Sequence, residues 1–169
     1  MELNEAKEKF IQSWGNFGTN WGINKTMAQI HALFLISEEL LSAEDVMDTL
    51  QISRGNANMN IRTLVDWGLV YKESKKGERK EFFRGEKDMW QVGKKVIAVR
   101  QRQELEPVLR VLSELQNIES HDKNREDVEQ FKGQMKKIED LSQSANKFLS
   151  KAVNADENWF WKILMKMIK

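Results

Sequence analysis

The stretch from Ser53 to Gly85, SRGNANMNIRTLVDWGLVYKESKKGERKEFFRG, constrains the fold of this chain more than any other. Ser53 is a favourable N-cap, and apolar residues follow it at the three- and four-residue spacing of one helix face. Gly68 stands where helices commonly end in a left-handed residue, and two strand-like runs then flank a lysine-rich turn. The pattern predicts a helix from Ser53 to Trp67 followed by a basic β-hairpin. The apolar face consists of Ala57, Ile61, Leu64 and Val65.

The opposite face of this helix is polar and carries little negative charge before Asp66. Such a face suits the major groove of DNA, where Asn and Arg side chains make paired hydrogen bonds to base edges. A cationic hairpin tip can lie along the phosphates beside it, which is the arrangement of a winged helix-turn-helix. The predicted DNA-binding residues are Ser53, Arg54, Gly55, Asn56, Asn58, Met59, Arg62 and Thr63 on the helix and Lys75, Lys76, Arg79 and Lys80 on the wing.

Within that set, we expect base or near-base contacts from Arg54, Asn56, Asn58 and Arg62. We expect Ser53 to cap the helix and contact a phosphate, and the four wing cations to contact the backbone.

The distribution of charge supports this prediction. From residue 50 to residue 85, eight Lys and Arg face four Asp and Glu, a net charge of +4, whereas the whole chain carries +1. Positive charge is therefore concentrated where a duplex would dock. The alternative is that a lysine-rich turn is only a solvated loop. The polar helix that precedes it makes that reading the weaker one.

The rest of the sequence predicts a mainly α protein with a small β-wing. Residues 1–90 are predicted to form the winged helix-turn-helix domain, with an amphipathic helix from Leu3 to Phe17 ahead of it. Glycines 15, 18 and 22 are expected to break that helix pattern. A buried helix from Asn24 to Glu38 and a short helix from Ser42 to Thr49 complete the domain. Ser42 and Asp45 are predicted to form the N-cap pair that opens the short helix.

Residues 91–169 are predicted to form a helical dimerisation region without strands. Pro107 indicates a break near Glu106, and the polar cluster 119–124 indicates a loop. From Val128 to Ala152 apolar residues recur in a narrow seam of the kind that packs on other helices. Residues 159–169 alternate an apolar face with lysines, which is consistent with dimer packing or, less favoured, with a helix on a membrane surface.

Catalytic and metal-binding motifs are not found in the sequence. Cysteine is absent, and His31 and His121 lack the spacing of a metal pair. His31 is predicted to be a satisfied core histidine. Adjacent acids diverge on a helix, and neither a phosphate-binding nor a nucleophile motif occurs. We therefore predict a protein that is not an enzyme and has no cofactor or metal. With neither a signal peptide nor a membrane span in view, we predict that it is cytoplasmic.

Three segments carry a resemblance to a known family: FIQSWGNFGTNWGINKTMAQIHALFLIS, SAEDVMDTLQISRGNANMNIRTLVDWGLV and GERKEFF. Together they span about residues 10–90, and the sequence resembles the MarR superfamily of winged-helix transcription factors, in particular its glycine-betaine-sensing GbsR-type branch. The resemblance implies a homodimer whose polar helices enter successive major grooves of a pseudo-palindromic double-stranded DNA site. The leading hypothesis is therefore a dimeric, sequence-specific DNA-binding regulator, with a repressor role favoured.

The resemblance to the betaine-responsive branch also implies a small quaternary-ammonium effector, choline or a betaine, held by aromatic rings through cation–π attraction. The rings predicted to be available are Trp14, Phe17, Trp21, Trp67, Tyr71 and Trp90. Simple core packing of these rings is the alternative and carries more weight. A different class of function also stays open, in which the winged helix is a protein-interaction module whose helical tail docks a partner chain.

Overall fold

The computed structural model describes residues 1–118 and 125–156, which form parts of two compact units, Met1–Val92 and the residues from Gly93 onward. The first unit contains α1 (Leu3–Asn20), α2 (Lys25–Ile36), β1 (Leu41–Ser42), α3 (Ala43–Leu50), α4 (Arg54–Asp66), β2 (Val70–Glu73) and β3 (Phe82–Gly85). Then follow α5 (Met89–Arg100), a π-helical segment (Gln101–Leu105), α6 (Glu106–Leu115) and α7 (Arg125–Asn154). This mainly helical fold with a small sheet confirms the predicted winged-helix class.

The sheet has three antiparallel strands in the order β1, β3, β2. Tyr71 of β2 lies opposite Arg84 of β3, and Leu41 of β1 lies opposite Phe83. The predicted hairpin is confirmed by β2 and β3. β1 was not predicted, because two residues are too short to show the alternation of a strand.

The core of the first unit lies where α2, α3, α4 and the sheet meet. Phe34 of α2 makes an edge-to-face contact with Phe83 of β3, with ring centroids 6.5 Å apart. The fully buried apolar side chains include Ile30, Phe34, Val46, Ile61, Leu64 and Val70. Because the apolar side of α4 is buried here, its other side faces outward.

Short-range capping signals set the helix ends. Ser42 and Asp45 form a reciprocal capping box at α3, with the Ser42 backbone N–H donating to Asp45 at 2.7 Å. The hydrogen bond donated by the Ser42 hydroxyl is the main reason that the pKa of Asp45 lies below its ordinary value. Ser53 caps α4 by accepting from the backbone N–H of Asn56, and Gly68 follows α4 with a φ of 72°. Both caps and the glycine were predicted from the sequence.

The prediction that Gly15 and Gly18 break α1 is wrong, since both lie inside the helix and are buried. A Cβ atom at Gly18 would lie 2.5 Å from the Cβ of Ala28, and one at Gly15 would lie 2.6 Å from Cγ of Gln29. These glycines therefore allow α2 to approach α1 closely. Of the three glycines predicted to break α1, only Gly22, with a φ of 72°, occupies the left-handed region that a turn requires.

The predicted break near Glu106 takes a different form. Leu105 and Glu106 keep helical backbone angles, and the N–H of Glu106 donates to the carbonyl of Gln101, five residues back. Pro107 lies in the first turn of α6, where its missing N–H costs little. The change is therefore one of hydrogen-bond register within a continuous helical backbone, a π-helical step, and not a loop.

The second unit leaves part of its apolar seam uncovered. Phe131, Leu141 and Phe148 of α7 are exposed, as are Val108 and Val111 of α6. The seam also carries a buried acid that was not predicted, Glu139, which accepts from Gln143 at 3.0 Å. The predicted loop 119–124 and terminal helix 159–169 lie outside the described residues. Across residues 1–118 and 125–156, none of the helices combines the length and apolar character needed to cross a bilayer.

Candidate nucleic-acid interface

The outward side of α4 and the turn between β2 and β3 form one continuous surface, here called the α4–wing surface. A groove of about 190 Å³ is lined by Arg54 and Asn58 of α4 together with Lys80 of the wing. A neighbouring groove of about 280 Å³ is lined by Asn58 and Arg62 of α4 and by Lys72 of β2. The structure thus brings the polar helix face and the cationic hairpin to the same side of the unit. The surface is defined by Ser53, Arg54, Gly55, Asn56, Asn58, Met59, Arg62 and Thr63 of α4 and Lys75, Lys76, Arg79 and Lys80 of the wing.

Internal hydrogen bonds fix two of the predicted α4 contacts. Asn60 is buried, and its side-chain nitrogen donates to the backbone oxygen and the side-chain oxygen of Asn56, at 2.9 and 2.7 Å. With its side-chain oxygen engaged in this way, Asn56 would donate to a partner through its amide nitrogen. Thr63 donates its hydroxyl hydrogen to the carbonyl of Met59 at 3.0 Å. Asn60 was not singled out from the sequence, because a buried amide on a polar helix resembles its exposed neighbours.

Two exposed side chains of α4 are not held this way. Met59 is 59% exposed, and Arg62 is also exposed. A Cβ at Gly55 would meet nothing within 4 Å, so the first turn of α4 is open to an approaching backbone.

A buried ring anchors the wing turn. Phe82, only 4% exposed, lies beneath Lys75 and Lys80, whose ammonium groups are 5.4 and 5.3 Å from its centroid. Gly77 supplies the left-handed residue of the turn with a φ of 88°. Lys72 forms an ion pair with Glu81 across the hairpin, close to the turn. The wing cations therefore stand on an ordered base.

Three cations of the α4–wing surface differ from the others in their ion pairing. In the part of the chain that the structure describes, Arg62, Lys76 and Arg79 make no ion pair. All three are exposed. Their charge is therefore available to an anionic partner without the loss of an internal contact.

The α4–wing surface has more acidic neighbours than the sequence of α4 alone indicates. Glu44, from the first turn of α3, lies 3.8 Å from Arg54 and 3.9 Å from Lys80. Lys75 pairs with Glu78 at 3.7 Å within the turn. Glu44 was missed because the count of charges began at residue 50, whereas tertiary packing brings in an acid from the helix before α4.

Three of the predicted effector rings form a row along α1. The ring centroids of Trp14 and Phe17, and those of Phe17 and Trp21, are each 5.6 Å apart. Phe17 and Trp21 are 50% and 57% exposed. The indole nitrogen of Trp14 donates to Nδ1 of His31 at 3.3 Å. The row is therefore exposed to solvent at its C-terminal end.

His31 is buried as predicted, but it is not fully satisfied. Its Nε2 has no hydrogen-bond partner among residues 1–118 and 125–156. Burial lowers the pKa of His31 to about 4, so the imidazole is neutral at physiological pH. With Nδ1 accepting from Trp14, the proton of the neutral ring resides on Nε2.

The other predicted effector rings have different surroundings. Tyr71 donates its hydroxyl hydrogen to Glu86 at 2.6 Å, and the Arg84 guanidinium lies 5.0 Å from its ring centroid. Trp67 is the C-terminal cap residue of α4, and the Trp90 backbone N–H donates to Asp88 at the start of α5. The face of Tyr71 is thus already in use by an internal cation. The described residues contain no group of His, Asp and Glu arranged to hold a metal ion.

Comparison with known proteins adds to this geometry. Residues 21–80, which run from the end of α1 to the wing turn, match the sequence model of the MarR family. The fold is similar to the crystal structure of a protein described as a transcriptional regulator, with a TM-score of 0.67 and 17% sequence identity over 88% of this chain and 96% of that chain. No curated protein sequence matches the chain. The chain thus has a winged helix-turn-helix fold, and its segment 21–80 is similar to the MarR family.

Proposed function

We propose that this protein is a sequence-specific, DNA-binding transcriptional regulator of the MarR type. One observation carries the proposal: the polar side of α4 and the cationic wing line the same grooves, with Arg62 in one of them. Both the MarR match over residues 21–80 and the fold shared with a transcriptional regulator support it. The assigned role is binding and not catalysis.

In the proposed complex α4 lies in the major groove. Arg62 is exposed and can form two parallel hydrogen bonds with O6 and N7 of a guanine, the commonest specific contact in such complexes. Asn58 lines both grooves and is the second candidate for a base contact. The first turn of α4, with Ser53 and the open Gly55, is placed to approach a phosphate through backbone N–H groups.

The wing contacts the phosphate backbone in this proposal. Lys76 and Arg79 lie at the tip of the hairpin, exposed and without an internal ion pair among the described residues. Such contacts add affinity for every sequence and make binding depend on salt, by about 0.9 in the logarithmic slope per phosphate neutralised. The helix would supply the discrimination and the wing the general affinity.

Two substitutions separate these roles. We expect Arg62→Ala to weaken binding to the cognate duplex by about 1–3 kcal/mol and to relax the preference at one base position. We expect Lys76→Ala to weaken cognate and scrambled duplexes alike and to reduce the salt slope by about 1. Fluorescence anisotropy with both duplexes, over a series of salt concentrations, measures both effects.

Lys9→Ala is the matched control, because it removes one positive charge from an exposed site on α1 that is not part of the α4–wing surface. It should leave both affinities nearly unchanged. If Arg62→Ala and Lys76→Ala both bind like the wild type, the assignment of the surface is wrong. If the wild type retains no duplex but forms a stable complex with another protein, the chain is an interaction module instead.

We further propose that the protein acts as a homodimer through its helical unit. The exposed apolar side chains of α6 and α7, among them Val111, Leu141 and Phe148, support this because soluble monomers rarely leave such a series uncovered. A two-fold dimer would place two copies of α4 on successive major grooves. By covering that length of duplex it would exclude polymerase from an overlapping promoter, which is the basis for proposing repression.

A quaternary-ammonium effector is the remaining part of the proposal. It follows from the resemblance to the GbsR-type branch and from the solvent-facing rings Phe17 and Trp21 at the end of the α1 row. A tetrahedral ammonium without N–H groups is bound best by aromatic faces, which attract its positive charge without needing hydrogen bonds. Choline and glycine betaine both carry this group.

A further inference from the structure

We propose that Glu44 sets the specificity of the α4–wing surface by holding Arg54 and Lys80 in ion pairs that oppose contacts with arbitrary duplexes. This inference rests on the proposed DNA-binding function. It assigns a role to a residue of α3, a helix that carries none of the side chains predicted to bind DNA.

The position of the carboxylate is the first step. One oxygen of Glu44 lies 3.8 Å from the Arg54 guanidinium, and the other lies 3.9 Å from the Lys80 ammonium. Arg54 begins α4, whereas Lys80 ends the wing turn. Glu44 therefore joins the helix and the wing across the first groove, which all three residues line.

The pairs are exposed, which is the second step. The side chains of Arg54 and Glu44 are 73% and 61% exposed, so solvent screens their attraction. A phosphate oxygen can displace such a pair, because its contact with a cation is charge-assisted and often bidentate for arginine. Displacement leaves the Glu44 carboxylate beside the incoming phosphate, where like charges repel. Every duplex meets this penalty.

The third step is that the base sequence of the duplex decides whether the repulsion between Glu44 and the phosphate is offset. A cognate duplex forms base-edge hydrogen bonds with α4 that an arbitrary duplex cannot form. A carboxylate at this position can also accept from the amino group of a cytosine. An arbitrary duplex relies on phosphate contacts alone, and those are the contacts that Glu44 weakens. A cognate duplex that places such an amino group beside Glu44 recovers the penalty through this hydrogen bond, whereas an arbitrary duplex does not. The acid therefore lowers non-specific binding more than specific binding.

Glu44 differs in this from the other acids near the wing. Glu73, Glu78 and Glu81 each pair with one cation of the hairpin itself, in the part of the chain that the structure describes. Such pairs order the hairpin. Glu44 holds two cations from two separate elements, both of them on the surface that the duplex would occupy.

The test is Glu44→Gln, which removes the charge and keeps the size of the side chain. We expect its affinity for a scrambled duplex to rise roughly three- to tenfold, since two exposed ion pairs are released. The logarithmic salt slope should steepen by up to about 1.8, because two more cations become available to phosphates. The affinity for the cognate duplex should rise less, so the ratio of specific to non-specific affinity should fall.

Glu38→Gln is the matched control, since Glu38 pairs with Lys87 at 3.9 Å outside the α4–wing surface. It makes the same change in net charge and should leave the ratio unchanged. An unaltered ratio in Glu44→Gln, or weaker binding to the scrambled duplex, would overturn the inference alone. Failure of the wild type to bind any duplex would overturn both the proposed function and this inference. A thermal melt of both variants shows that the fold is intact.

Discussion

Replacing Gly18 by alanine tests the close packing of α1 on α2. In an exposed helix interior this change stabilises by about 1 kcal/mol, because alanine is the better helix former. Here the new Cβ would lie 2.5 Å from the Cβ of Ala28 and 3.7 Å from that of Ile23. Ordinary contact between carbon atoms is about 3.5–4.0 Å, so the two helices would have to separate by about 1 Å.

Overpacking of this kind typically costs about 1–3 kcal/mol. The clash cannot be relieved by a change of rotamer, since both atoms are fixed to the backbone. A clash fixed in this way belongs in the upper part of that range, about 2–3 kcal/mol. After the gain of about 1 kcal/mol in helix propensity is subtracted, we expect Gly18→Ala to lower the free energy of unfolding by about 1–2 kcal/mol. Urea denaturation followed by tryptophan fluorescence measures this change.

Two further variants make the test specific. Gly55→Ala, in α4 of the same unit, meets nothing within 4 Å and should be neutral or slightly stabilising. Adding Ala28→Gly to Gly18→Ala removes the opposing methyl group, so the two changes should couple favourably by about 0.5–3 kcal/mol in a double-mutant cycle. Gly18→Ala as stable as the wild type, or strictly additive with Ala28→Gly, would refute the reasoning.

Two other predictions concern His31 and the α1 row. Because burial lowers the pKa of His31 from 6.5 to about 4, the unfolded chain binds a proton between these pH values that the folded chain does not. This contribution to stability is therefore complete above pH 6.5 and declines by up to about 3 kcal/mol as the pH falls to 4. His31→Gln should flatten that part of the pH dependence of unfolding, and an unchanged slope would contradict the prediction. Choline or glycine betaine should quench tryptophan fluorescence in the wild type and less in Trp21→Ala. Equal quenching in the two proteins would place the effector elsewhere.

Local signals made much of the fold predictable from the sequence. The caps at Ser42 and Ser53 and the left-handed Gly68 are decided within a few residues, so the boundaries of α3 and α4 agree closely with the prediction. The buried face of α4 followed from its periodicity. Because the apolar side of α4 is buried, its polar side faces outward.

Features that depend on distant residues were not predictable in this way. Gly18 resembles a helix breaker until Ala28 is packed against it. Glu44 resembles any exposed acid until Arg54 and Lys80 are brought beside it from other elements. The π-helical step before Pro107 likewise depends on which carbonyl accepts each N–H, and sequence spacing does not determine that choice.

Selection of bound sequences from a pool of random duplexes tests the central claim most directly. With α4 in the major groove and a two-fold dimer, the purified chain should enrich a pseudo-palindrome whose half-sites lie about 10–10.5 base pairs apart, centre to centre. The same selection with Arg62→Ala should lose the preference at one position of each half-site. A bound pool with the base composition of the input would show that the α4–wing surface does not read DNA sequence.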